Sequence, residues 1–546
     1  MPPIRKVWLV VAVVLAACVP YLSSIRDYFA QDDFGTVMIL AKRSWTTFPR
    51  WFVMPWMEYI WGYTPDEIRP FVAFTYQLTG KWAPHRPELH HIVNIAMHAG
   101  NALLVMAIGR AAVGLSPVAA AFAAIVFAVL PSQPESVAWI TGRVDSMPAF
   151  FYLATFLAYV HFRRSPAQQS FDLTLLGAGR HATIFHPPAA YLAALALFFI
   201  TLFSKQNAIT MVATLAAYDL LVLGRERRGS LWWTVAAWTP FILMTAGYLA
   251  LRRAVFGHTV RGGIDSVHDI EAFFGMVERH LLRVTVGHLS PILSWEVWAA
   301  VFLLALVTFA MWREPRFTRR VLCFSVAWWA IGVAPILVAG YESPRHVYLA
   351  SVAWAFLLAL VADAVVPRLQ RPWLRIMAAT IGLAVVAVYV VQLRATLEDW
   401  HALARISRNA VERVREEALS APEGTLLLVG VPRSSWEWGV PFVMQPPYQP
   451  TDLTARVRLV TPWRLYCCGA EQWDVYARRH LQAWLDAPNR PPLVALHFAP
   501  DTGHVSRLTE AESPELRELI PVLLQTDTPE TLDGAIVHLL ERVVKK

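Results

Sequence analysis

The chain has 546 residues, of which 56% belong to the set Ala, Val, Ile, Leu, Met, Phe, Trp, Tyr and Cys, and only 16% are charged. Disorder needs low hydrophobicity and high net charge, so a mean hydropathy of +0.42 excludes it. The 26 Gly and 37 Pro follow no period, which excludes a collagen-like chain. Long apolar runs recur, so the net charge of +8 is expected in basic loops on one side of a membrane, with no nucleic-acid partner.

The first apolar run, residues 7–24, follows Arg5 and Lys6. No small-residue cleavage site comes after it, so it reads as a transmembrane helix with a cytoplasmic N-terminus. Another run starts near His90, and others lie near 113–131, 147–163, 187–203, 206–223, 231–251, 295–312, 320–340, 347–366 and 375–393. Each approaches the roughly 20 residues that span a bilayer, which predicts a mostly α, polytopic membrane protein of about eleven transmembrane helices.

Loop charges orient these helices. Arg110; Arg163, Arg164 and Arg180; Arg225, Arg227 and Arg228; Arg313, Arg316, Arg319 and Arg320; and Arg368 and Arg371 all fall on one side. The positive-inside rule makes that side cytoplasmic and puts the C-terminal part outside. The expected location is a bacterial-type inner membrane, with the C-terminal part periplasmic.

Three outer segments are polar. Residues 25–88 contain Gln31-Asp32-Asp33-Phe34 and the tryptophans Trp45, Trp51, Trp56 and Trp61, suited to the membrane interface. Residues 252–293 carry Arg252, Arg253, Glu278, Arg279, His280 and Arg283 and are expected to include a surface helix. Residues 395–420 read as an amphipathic helix leaving the bilayer. From 421 to 546 a small α/β domain is expected, with strands at Thr425–Val431 and Pro492–Phe498 and helices near 471–486 and 513–525. The run Ala535–Val544 fits a strand or a short helix. The division is therefore 1–394, 395–420 and 421–546. Four cysteines are too few for a disulfide framework.

Polar groups inside apolar spans are costly and mark candidate sites. In HHIVNIAMHAGN, His91, Asn94, His98 and Asn101 stand at steps of three, four and three, on one helical face. They either glue helices together or line a site. The loop alternation places several other groups on the same outer side. These are Asp32 and Asp33; Arg69; Glu135, Arg143 and Asp145 in PSQPESVAWITGRVDSMP; Lys205 in a short turn; and Glu342, Arg345 and His346 in YESPRHVYLAS. A carboxylate can serve as general base on a hydroxyl, and Arg and Lys at headgroup depth suit a phosphate. The competing readings are interfacial snorkelling for the cations and helix capping for Asp32-Asp33.

The stretches AQDDF, EIRPF, HHIVNIAMHAGNALL, VLPSQPESVAWITGRVDSM, LFSKQNAITMVATLAAYDLL and SPRHVYLASVAWAFLLAL span most of residues 30–365. In them the chain resembles the GT-C superfamily of integral-membrane glycosyltransferases. More closely, it resembles the membrane half of the TPR-bearing transmembrane O-mannosyltransferases and their bacterial relatives. It departs from them in having Ile68 before Arg69-Pro70, Leu130 before Pro131, and no TPR repeats.

The resemblance implies a GT-C-like fold and a sugar donor carried on a polyprenyl phosphate, with a hydroxyl acceptor on a protein, lipid or glycan. It implies one inverting, mannosyl- or hexosyl-type transfer in which Asp32 or Asp33 is the base. Arg69, Arg143, Lys205, Arg345 and His346 would bind the donor phosphate, and His91, Asn94, His98, Glu135 and Asp145 would line the site. No cofactor is expected to be required and no metal ligands are assigned. The alternatives are a transporter or flippase of a lipid-linked substrate, and an oligosaccharyltransferase-like enzyme using a diphosphate-linked glycan with Glu135, Asp145 and Glu342 on a metal. No internal repeat of spans supports the transporter.

Overall fold

The computed structural model describes residues 3–57, 65–164, 189–223, 231–259, 270–286, 316–340, 342–430, 442–461, 471–499, 502–525 and 530–544. The expected span at 295–312, Trp61, and the loop residues Arg180, Arg225, Arg227, Arg228 and Arg313 lie outside the described residues.

The first helices are α1 (Pro3–Cys18), α2 (Asp33–Lys42), α3 (Pro70–Trp82), α4 (Pro87–Ile108), α5 (Pro117–Val129), α6 (Arg143–Arg164) and α7 (Ala189–Leu202). They are followed by α8 (Met211–Ala217), α9 (Leu231–Phe256), α10 (Ile270–Thr285), α11 (Arg316–Ala339), α12 (Ser351–Val365) and α13 (Pro372–Ser420). Each described apolar run falls on helical backbone. Among the described residues, five helical stretches are long and apolar enough to cross a membrane: Pro87–Val113, Leu231–Phe256, Arg319–Ala339, Ser351–Arg368 and Pro372–Ser420. Val7–Tyr21, Pro117–Val129 and Ala189–Leu202 are apolar but shorter. Other runs fall short for physical reasons: α6 carries charges at both ends, and 206–223 is broken into short helical pieces.

The chain forms two compact units. The first comprises Met1–Leu22, Val93–Ala138 and Gly142–Leu397. In it α6 packs on α7, and α5 packs on both α1 and α12. Local chemistry sets the helix ends. Gly114, at φ 80°, closes the α4 segment in the left-handed conformation that glycine adopts without strain. Ser116 then caps α5 by accepting the Ala119 N–H, and Pro117 occupies the first turn, where a missing N–H costs nothing. Hydroxyls within the helices are met by carbonyls one turn back, as in Thr155 to Phe151 and Ser204 to Ile200. Large apolar side chains point outward; Trp232 is 83% exposed and Leu383 70%. Such surface is unfavourable in water and favourable against lipid tails.

Helix α13 has 49 residues and is therefore about 74 Å long, well beyond a hydrocarbon core of roughly 30 Å. Its first half exposes Ile376, Ile381 and Val391, whereas the part from Glu398 onward is rich in charge. A helix of this length extends beyond the hydrocarbon core if its apolar first half crosses it.

The second unit comprises Ser23–Ile92, Trp139–Thr141 and Glu398–Lys546. Its sheet contains β1 (Thr425–Gly430), β2 (Val457–Val460), β3 (Leu493–Phe498) and β4 (Val505–Thr509), in the order β2-β1-β3-β4. β1 pairs in parallel with β2 and β3, and β3 runs antiparallel to β4. β1 is buried throughout, as expected of a central strand covered on both faces. Helices α14 (Glu471–Leu485), α15 (Leu519–Gln525) and α16 (Glu530–Val544) complete the α/β part. Its core joins Leu426, Leu428, Trp484, Leu493, Ile520 and Ile536. The run 535–544 is thus helical. Strands β2 and β4 escape the sequence pattern because they are short edge strands carrying Arg458 and Arg507. In the same unit the Tyr448 hydroxyl donates to the Phe34 carbonyl at 2.6 Å.

Candidate functional site

In the first unit, three elements bring charges together. Gly142 precedes α6, and a Cβ there would run into the Glu135 carbonyl oxygen and come within 2.9 Å of Ser136 Cα. Only glycine lets the backbone turn so closely into the segment bearing Arg143 and Asp145. Lys205 follows α7 in an extended conformation and pairs with Asp145. Arg345, on the turn Pro344–Val347, lies 3.4 Å from the second Asp145 oxygen. Its Nη1 donates to Glu135 Oε1 at 2.6 Å and its backbone N–H to Glu135 Oε2 at 3.1 Å. Ser343 donates its hydroxyl to Glu135 as well.

A pocket opens against this cluster, lined among others by Asp145, Tyr152, Asn207, Arg345, His346 and Tyr348. Lys205 is buried, so the cluster sits where charge interactions are stronger than in water. The carboxylates compensate the cations there, and an incoming anion would compete with them.

The polar face of α4 supports this turn. The Arg143 guanidinium is fully buried and donates Nε to Asn94 Oδ1 at 2.8 Å. His98 Nε2 faces the Ala128 carbonyl at 3.0 Å and must donate to it, which leaves Nδ1 to accept from the Tyr348 hydroxyl at 2.7 Å. Asn101 donates to the Ser146 carbonyl at 2.8 Å and to the Tyr348 hydroxyl at 3.0 Å. His98 and Asn101 therefore fasten helices together and also fix Tyr348, three residues beyond Arg345.

In the second unit, Asp33 and Asp32 differ. Asp33 is 1% exposed. Its Oδ1 accepts the Thr141 N–H at 2.9 Å and the Thr141 hydroxyl at 2.6 Å, while Oδ2 accepts the Ala30 N–H at 3.0 Å. Asp32 is half-buried, and its side chain does not cap α2. Just before it, Gln31 has φ 52°, a left-handed conformation costly for a side-chain-bearing residue. Arg69 pairs with Glu67 at 2.8 Å and lies 5.6 Å over the Trp56 ring, and Glu67 also accepts the Trp56 Nε1–H at 3.0 Å. His91 Nε2 meets the Asp27 carbonyl at 3.2 Å.

Glu67, Thr141 and His401 were not singled out in the sequence. Thr141 stands inside the ESVAWITGRVD stretch, which is the signal that could have found it. His401 holds Asp27 at 2.7 Å and Ser23 at 3.0 Å. Glu342, one of three carboxylates considered for a metal, is gripped instead by Arg279 at 2.9 Å through Nε and by Arg283 at 3.2 Å. Burial opposes its charge, but the two arginines prevail and hold its carboxyl below the usual range. Among the described residues no group of three or more His, Cys, Asp or Glu is arranged to hold a metal ion.

No family model matches the chain. In sequence it is 28% identical over 193 residues to protein O-mannosyl-transferase TMTC4 of Homo sapiens, covering 31% of this chain and 24% of that protein. It is 26% identical over 218 residues to protein O-mannosyl-transferase TMTC1 of Homo sapiens, covering 39% and 23%. The matches thus span about a quarter of these relatives' own length. In structure it is similar to ArnT from Cupriavidus metallidurans in the apo state, with a TM-score of 0.51, 16% identity, and 90% and 93% of the two chains covered. It is also similar to the Archaeoglobus fulgidus oligosaccharyltransferase, with a TM-score of 0.53, 12% identity, and 97% and 72% covered. The chain has the GT-C fold. The shared fold agrees with the order of motifs along residues 30–365, and the chain is a multi-pass membrane protein.

Proposed function

We propose that this protein transfers a sugar from a polyprenyl-phosphate donor to a hydroxyl acceptor on the extracytoplasmic face. The observation that carries the reading is the Asp145–Lys205–Arg345–Glu135 cluster beside a pocket. A buried lysine and a half-buried arginine held by shared carboxylates suit a phosphate that gains charge during reaction. The named O-mannosyl-transferases support the kind of reaction, and the positive-inside pattern supports the face.

In the proposed step, the acceptor oxygen forms a bond to the anomeric carbon from the side opposite the phosphate. The bond from that carbon to the phosphate oxygen breaks, and its electron pair leaves with the polyprenyl phosphate. The motif resemblance alone assigns the hydroxyl proton to Asp32. Asp33, whose oxygens already accept three hydrogen bonds, positions its neighbour by holding residues 30 and 141. Within the first unit, Lys205 and Arg345 stabilise the leaving phosphate, His346 lines the pocket beside them, and buried Arg143 holds the turn that carries Asp145; within the second unit, Arg69 orients the Trp56 region. One displacement inverts the anomeric configuration.

The test is a transfer assay with purified protein in liposomes, using polyprenyl-phosphate mannose and a hydroxyl peptide, with the product's anomeric configuration read by NMR. Inverted product that falls in Lys205→Ala at limiting donor and is unchanged in Arg371→Ala is the expected result. Lipid movement across the bilayer without transfer would favour a flippase and sink the proposal.

A further inference from the structure

Helix α10 carries cations that the reaction above does not use. Arg279 and Arg283, one helical turn apart, both hold Glu342. The helix packs on α11, α12 and the Pro344–Val347 turn that bears Arg345 and His346, and its end is tied down where Tyr389 donates its hydroxyl to the Thr285 carbonyl at 2.5 Å. Arg279 is well satisfied, with Nε at 3.0 and 2.9 Å from the two Glu342 oxygens.

Arg283 is different. It is 8% exposed, yet neither its Nε nor its Nη1 has a well-formed hydrogen bond among the described residues, and Glu342 at 3.2 Å is a loose partner. On the same helix His280 is fully buried; its Nδ1 donates to the Met276 carbonyl at 2.7 Å, and its Nε2 has no partner among the described residues. A guanidinium presents five donors, and burying them unmet is costly unless another acceptor arrives. An acceptor suited to Nε and Nη1 beside a carboxylate is anionic and rich in oxygens. It must also be able to compete with a carboxylate for a guanidinium, which a phosphate does through a bidentate contact.

We infer that Arg283 is a further phosphate-contacting residue, lent to Glu342 at rest and transferred to the polyprenyl monophosphate as it leaves. This rests on the proposed function, because that reaction turns a phosphodiester with one negative charge into a monoester that can carry two. Glu342 is the place-holder. It keeps a buried cation compensated while the site is empty, and yields it when the second charge develops. An interaction made with the product phosphate more than with the donor favours the forward step.

The experiment measures binding of three probes to the full chain in lipid nanodiscs: undecaprenyl monophosphate, its methyl phosphodiester and inorganic phosphate. Arg283→Gln should weaken the monophosphate about tenfold and the diester by less than about threefold, as loss of one charge-assisted contact would. Glu342→Gln, which frees the arginine, should tighten the monophosphate. Lys205→Gln should weaken both lipids, and inorganic phosphate should bind wild type at least about tenfold more weakly than the lipid monophosphate does.

If Lys205→Gln weakens binding while Arg283→Gln binds the monophosphate like wild type, this inference fails and the proposed function stands. If neither variant changes lipid binding, the phosphate reading itself fails. Inorganic phosphate binding as tightly as the lipid would overturn the assignment to the leaving lipid. Should Arg283→Gln not fold, Glu342→Gln decides: unchanged or weaker monophosphate binding overturns the proposal.

Discussion

The two ends of α6 hold ion pairs of the same chemistry put to different uses. Toward its C-terminus, Arg163 pairs with Asp219 at 3.0 Å, and both side chains are completely buried. The second Asp219 oxygen accepts from the Tyr159 hydroxyl at 2.6 Å and from Trp238 Nε1 at 3.0 Å, while the guanidinium lies 4.9 Å from the Trp233 ring centre. Eighteen residues earlier, about 27 Å along the helix, Asp145 is shared by Lys205 and Arg345 beside a pocket. One cluster is closed by neutral donors and aromatic rings. The other shares two carboxylates, Glu135 and Asp145, between two cations beside a pocket. Burial alone therefore does not mark a site; what distinguishes the second cluster is charge that a ligand can take over.

The sharpest way to break the comparison is to remove one partner at each end. Asp219→Ala leaves a buried guanidinium without its carboxylate and should cost roughly 3–5 kcal/mol of stability, read as a lowered thermal unfolding temperature in detergent. Turnover per folded molecule should stay near wild type. Equal loss of stability and of turnover would erase the distinction between the two ends.

The acidic pair should divide in the same way. Asp32→Asn is expected to reduce transfer by at least roughly 10²-fold, as loss of a general base does, with unchanged unfolding temperature. Asp33→Asn should lower stability too, since a carboxylate accepting from Thr141 and Ala30 is replaced by a group that must donate on one side. Full activity in Asp32→Asn would remove the base from the proposal. A smaller effect is expected at the open cluster: Lys205→Ala should raise the donor KM about tenfold or more, for a lost contact of about 1.5–3 kcal/mol, with less thermal destabilisation than Asp219→Ala.

The smallest effect in this series is a pH dependence in the second unit. The hydrogen bond to Asp27 pushes the His401 imidazole up, against burial, which lowers it. A raised folded value means the pair's contribution is complete below about 6.5, the unfolded value, and is lost as pH rises through the higher folded value. Asp27→Asn should therefore lower the unfolding temperature more at pH 6 than at pH 8.5. The same loss at both pH values would show that no proton is linked to this contact.

Much of this was legible in the residues. Apolar runs of spanning length located the helices, because hydropathy acts over many residues at once. The loop alternation gathered Glu135, Asp145, Lys205 and Arg345, which the structure brings into contact. Pairings between distant, individually ordinary residues were not legible. Arg163 reads as a loop cation, yet it is buried, because Asp219, Tyr159 and Trp233 reach it only through tertiary packing. The roles of Asp32 and Asp33 could not be separated either, since Thr141 lies 108 residues from Asp33.

Gln31 points to a trade that selection in the laboratory would expose. A side-chain-bearing residue at φ 52° is a standing strain directly before Asp32, and glycine would relieve it. A thermostability screen should therefore recover Gln31→Gly, with a gain of about 0.5–1 kcal/mol. The winners of such a screen should turn over more slowly, because the extra backbone freedom loosens the aim of the next residue. A protein bred only for heat resistance would drift away from its chemistry at this one peptide unit.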